Sequence, residues 1–103
     1  MERLGKDAPL PKQMQGRWTS MVDTSVELVV RIGEIRWSGR PIEYDFKLMG
    51  DQDGALMVSL NIENVAKRDA FQRSTITGLV LTPEGDFHAY NAKFAIQLVR
   101  SGD

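Results

Sequence analysis

Cysteine is absent from the 103 residues, which removes disulfides, zinc–thiolate sites and thiol catalysis together. Histidine occurs once, at His88, so a Ser-His-Asp arrangement has a single candidate base, and no Gly-x-Ser-x-Gly nucleophile elbow accompanies it. An excess of either charge is missing too. Basic residues number 13 and acidic residues 14, for a net charge of −1, so a polyanion finds no global attraction and nucleic-acid binding is not expected. No apolar run approaches the roughly 20 residues that cross a bilayer, and no membrane association is expected. Met1 to Gln13 carries charges and prolines where a signal peptide needs an apolar centre, which points to a cytoplasmic protein. No glycine-rich phosphate loop is present. Asp51-Gln52-Asp53-Gly54 has the opening of a calcium loop but not its later ligands or closing glutamate, and reads as a solvated turn. Neither a metal nor a cofactor is expected.

What the chain does have is period-two alternation of apolar side chains. A mass of 11.6 kDa suits one core, since two would leave each half too small to offset chain entropy. Residues 1–15, with two prolines and no periodicity, form an N-terminal arm, flexible or docked; residues 16–103 form a single β-barrel domain. Ile42, Tyr44, Phe46 and Leu48 alternate with Glu43, Asp45 and Lys47, and Leu56, Val58, Leu60 and Ile62 follow a glycine-rich turn. Folding about Gln52 sets Leu48 against Leu56, Phe46 against Val58 and Tyr44 against Leu60, all on one face. Upstream, a turn at Gly33-Glu34 sets Ile32 against Ile35 and Val30 against Trp37, and Trp18 meets Val30. The predicted interior row is Trp18, Val30, Trp37, Ile42 and Ile62.

Thr82-Pro83-Glu84-Gly85-Asp86 reads as a turn that sets Leu81 against Phe87, Leu79 against Ala89 and Gly78 beside Tyr90. A short turn at Asn91-Ala92 then places Ala89 against Phe94 and Phe87 against Ile96. Between the fifth and sixth strands, residues 63–72 lack alternation and permit one short helical turn. Eight antiparallel strands joined by hairpins predict an all-β, up-and-down barrel, which can be filled by its own side chains or hold one small ligand.

Gly16-Arg17-Trp18 resembles the Gly-x-Trp that opens the first strand in the calycin superfamily, comprising lipocalins, fatty-acid-binding proteins and avidins. Arg100, near the end of the last strand, resembles the arginine those barrels lay across the tryptophan. The resemblance implies that Gly16, Trp18 and Arg100 close the barrel, with a cation–π contact of roughly 0.5–2 kcal/mol. It implies stability first and ligand contact second.

For function, the inward parity gathers Trp37, Tyr44 and Phe46 as an aromatic wall, with Thr75, Thr77 and Ser20 to supply hydroxyls. The expectation is a non-enzymatic protein that binds a small apolar or amphipathic ligand inside the barrel. His88 falls on the outer parity opposite Val80, and nearly all carboxylates fall on turns or outward positions, which disfavours acid–base chemistry. The alternative is a protein-interaction or homo-oligomerisation module, a dimer for instance, with a filled barrel and Ile76, Val80, Tyr90 and Val99 clustered on its outer wall.

Overall fold

Two turns, each with both central residues at positive φ, set two of the hairpins. Ser38 and Gly39, at φ 53° and 85°, and Asp53 and Gly54, at 54° and 85°, each form a two-residue turn of the type I′ kind. The computed structural model describes residues 1–102. Its strands are β1 (Glu2–Gly5), β2 (Gly16–Ser20), β3 (Glu27–Arg31), β4 (Glu34–Trp37), β5 (Arg40–Pro41), β6 (Phe46–Gln52) and β7 (Ala55–Asn61), then β8 (Gly78–Leu81), β9 (Phe87–Tyr90) and β10 (Ala95–Gly102). All pair antiparallel in the order β1-β6-β7-β8-β9-β10-β2-β3-β4-β5. No helix among the described residues is long and apolar enough to cross a membrane.

The all-β architecture matches expectation; the closed eight-stranded barrel does not. The described residues form a ten-stranded curled sheet, a half-barrel with β1 and β5 as its edges. The last strand does return to the first, since β10 pairs with β2. The break lies in the expected fourth strand. Pro41 lacks a backbone N–H to donate, and Asp45 forms a bend: its N–H donates to the Asn61 carbonyl at 2.8 Å while its carboxylate accepts from the Glu63 N–H, also at 2.8 Å. The bend separates β5 from β6 and inverts the parity behind it.

That inversion overturns the hairpin centred on Gln52. With Asp53-Gly54 as the turn, Met49 faces Val58 and Lys47 faces Leu60, whereas Leu48 pairs with Ser59 and Phe46 with Asn61 on the other face. In the β2–β3, β3–β4 and β9–β10 pairs the expected parity holds and the register moves by two. Ile32-Gly33, not Gly33-Glu34, is the β3–β4 turn, which leaves Ile32 75% exposed and pairs Val30 with Ile35 and Leu28 with Trp37. Trp18 pairs with Leu28. In the β9–β10 loop, the Asn91 carboxamide oxygen accepts from the N–H groups of Lys93 and Phe94, lengthening the turn so that Ile96 meets Ala89 and Leu98 meets Phe87. The β8–β9 register is the expected one throughout. The segment between β7 and β8 contains the anticipated short helix, α1 (Arg68–Ser74), preceded by a 3-10 turn at Val65–Lys67.

The core contains Trp18, Leu28, Val30, Ile35, Ile42, Tyr44, Val58, Leu60, Leu79, Phe87 and Leu98, with Trp18 against Phe87 at 4.4 Å between ring centroids. Of the predicted interior row, Trp37 is packed at its margin and Ile62 is half-buried. Residues 1–15 are docked onto it: β1 lies on β6, and Leu10 and Met14 enter the core, Met14 with no exposure at all.

On the outer face the Tyr90 ring covers Gly78, and a Cβ there would overlap it. Gly78→Ala is therefore expected to destabilise the protein by about 1–3 kcal/mol through overpacking. In a Tyr90→Ala background the same change should cost little. Chemical denaturation of the four proteins checks this; equal costs in both backgrounds would contradict it.

Candidate functional site

One end of the half-barrel is sealed by the arm. The Trp18 indole Nε1–H donates to the Met14 carbonyl at 2.9 Å, and the Arg100 guanidinium lies 4.2 Å over the Trp18 ring. Arg100 also donates to the carbonyls of Gln15 at 2.8 Å and Gln13 at 3.0 Å, so that it clamps the 3-10 turn at Lys12–Met14 onto the indole. Gly16, at φ 123°, makes the passage from this turn into β2. A depression of about 650 Å³ beside Gln13, Leu56, Leu81 and Pro83 opens here, but its cation is held by carbonyls and Asp86 is approached by the Gln97 amide.

The expected ligand wall is dispersed. The Ser20 hydroxyl is buried and accepts from the N–H groups of Val22 and Asp23, and so is committed to its own turn. Phe46 faces outward beneath Arg3, whose guanidinium sits 3.8 Å above the ring. Tyr44 is buried and donates its hydroxyl to the Lys6 carbonyl at 3.0 Å. Thr77 is half-buried, its backbone bonded to Leu60 and Tyr90. Only Trp37 and Thr75 come together.

They meet at the rim, where β5 leaves the sheet and α1 crosses toward it. A cleft of about 300 Å³ is lined by Trp37, Arg40, Pro41, Ile42, Phe71, Ser74 and Thr75. A second, of about 630 Å³, shares Glu43, Phe71 and Ser74 and continues past Ile62, Asn64 and Lys67. Together they make a groove along α1 with an apolar floor and hydroxyl, guanidinium and carboxylate groups at its margin. Phe94, 41% exposed on the β9–β10 loop, stacks on Trp37 at 6.4 Å and extends the aromatic rim. Phe71 carries no alternation signal; its only mark in the sequence is being the one aromatic in a charged segment.

The expected outer-wall interface is also reduced. Ile76 has no exposure, because regular strand structure begins only at Gly78 and the chain leaving α1 carries Ile76 into the core. Tyr90 is spent covering Gly78. Val80 and Val99 stay outward, Val80 half-buried between Met57 and His88. Among the described residues no three or more His, Asp or Glu side chains gather as metal ligands would.

Alternation with Tyr44, Phe46 and Leu48 puts Lys47 on the charged face with Glu43 and Asp45, yet it is 1% exposed. Its ammonium donates to the carbonyls of Gly5 and Lys6 at 3.0 and 2.9 Å and lies 3.2 Å from the Tyr44 hydroxyl. Burial pushes the Lys47 pKa down from its ordinary 10.5, opposed by the charge of Asp7. Burial and then Asp7 push the Tyr44 phenol up from 10.0. Between the lowered value and 10.5 the unfolded chain holds more protons at Lys47 than the folded one, so stability from this group rises with pH across that window. The stability Tyr44 contributes is complete below pH 10.0 and is lost as pH rises through its raised pKa. Urea midpoints measured from neutral to strongly alkaline pH should show the rise flattened in Lys47→Met and the later fall flattened in Tyr44→Phe. Parallel curves for wild type and variants would contradict this.

No protein-family model matches this chain, nor does any curated protein or any solved structure, so the chemistry of its own groove has to carry the functional reading.

Proposed function

We propose that this is a non-enzymatic binding protein whose ligand, a small apolar or amphipathic molecule, lies in the rim groove between α1 and the β4–β5 hairpin. The observation that carries the reading is the joined pair of clefts, about 300 and 630 Å³, walled by Trp37, Ile42 and Phe71 and edged by Arg40, Glu43, Ser74 and Thr75. Ligand sites are concave, mainly apolar and provided with a few polar groups that fix orientation. A position inside the barrel is disfavoured because Met14, Leu28, Phe87 and Tyr44 already fill it. The calycin kinship proposed from Gly16, Trp18 and Arg100 is supported by the stacking of Arg100 on Trp18 and by the up-and-down order from β6 through β10 to β2. The groove does not depend on it.

An apolar anionic fluorophore such as 8-anilinonaphthalene-1-sulfonate should bind saturably and quench the half-buried Trp37. Phe71→Ala should weaken that binding about tenfold, equivalent to ~1.4 kcal/mol and within what a lost aromatic contact is worth. Phe71 is half-buried and packs against the core, so the melting temperature should fall modestly and affinities are compared at a temperature where both proteins are fully folded. Unchanged affinity in Phe71→Ala would remove the groove as the site.

A further inference from the structure

The arm is held in an unusual way. Trp18, Tyr44, Lys47 and Arg100 all reach it from the barrel, and every one of their bonds to it ends on a main-chain carbonyl, at Gly5, Lys6, Gln13, Met14 or Gln15. Such bonds fix the path of a backbone without depending on which chain supplies it. Ion pairs add complementary charge, with Arg3 on Glu63 at 2.9 Å and Lys6 on Glu43 at 3.6 Å, basic on the arm and acidic on the barrel. Leu10 and Met14 belong to the core, so each barrel requires one arm to be complete. The covalent link to the barrel passes through Gly16, whose φ of 123° is a conformation that L side chains rarely adopt. Before it, Pro9 and Pro11 restrict the backbone of the limb that leads into the 3-10 turn.

We propose that the arm is an exchangeable element and that two copies of this chain form a dimer by reciprocal exchange of residues 1–15, hinged at Gly16. Each barrel then regains the contacts it has in the monomer, and the hinge relaxes to an ordinary extended φ. Exchange of identical elements is a low-cost route to a two-fold dimer for this reason.

The absence of cysteine makes the test clean. Glu2 and Met49 are facing partners in the β1–β6 ladder, at a separation that suits a disulfide. Full-length Glu2→Cys and Met49→Cys chains are refolded together at high concentration and oxidised. A disulfide-linked heterodimer is expected at about tenfold the yield obtained when Glu2→Cys is paired with Val22→Cys, a 91% exposed position on the β2–β3 loop, which has no place in the β1–β6 ladder. Equal yields overturn the proposal. So does failure of the double variant Glu2→Cys/Met49→Cys to close its internal bond, since the docked arm would then not exist. Independently, Gly16→Ala strains the monomer's hinge and should raise the dimer-to-monomer ratio several-fold by light scattering; an unchanged or lower ratio contradicts the hinge.

Discussion

An edge strand leaves a row of backbone donors and acceptors without partners, and this chain creates such an edge in the middle of its own meander. Pro41 and the bend at Asp45 stop the fourth strand after Arg40–Pro41, so β6 starts afresh with one side unpaired. β1 occupies that side. From this one constraint follow the ten strands in place of eight, the docking of the arm, and the burial of Lys47, whose ammonium caps the carbonyls where the arm turns away. A buried charge is tolerated only when its polar neighbours compensate desolvation, and here three oxygens do so.

The same break places the groove proposed as the binding site. Because the arm, Phe87 and Tyr44 fill the interior, open space remains where the sheet fails to close. α1 bridges that region and offers Phe71 to Trp37 and Ile42 across the groove. Helix, bend and short β5 are thus linked: a continuous fourth strand would occupy the position of the groove.

Alternation in the sequence sets which residues face inward, while turn chemistry sets the register, and the two were not equally legible. At β8–β9 the proline and glycine of the Thr82–Asp86 turn left one pairing, with Gly85 at φ 96°, and every partner there was readable. At β3–β4 the glycine marks a turn without fixing its own place in it: Gly33 is the second turn residue and not the first, which moves pairs by two and spares the parity. At β6 the apparent alternation of Ile42, Tyr44, Phe46 and Leu48 ran across a bend whose partners, Asn61 and Glu63, lie far along the chain, and the face was lost. Alternation brings Trp37 and Thr75 to notice, and the structure sets them in one cleft, whereas the places of Phe71 and Ile42 in that cleft and the burial of Lys47 depend on the tertiary structure. Ser20 and Tyr44 were correctly inward, but as bonded core groups rather than a ligand wall.

The central claim is that the N-terminal arm is an integral layer of the fold. Hydrogen exchange followed by NMR at the Trp18 indole N–H and the Met14 amide tests it most directly, since the first donates to the Met14 carbonyl at 2.9 Å and the second to Pro11 at 2.9 Å. Protection at both sites comparable to that of the β2 and β10 amides is the predicted result. Exchange at free-peptide rates beside a protected half-barrel would contradict the account.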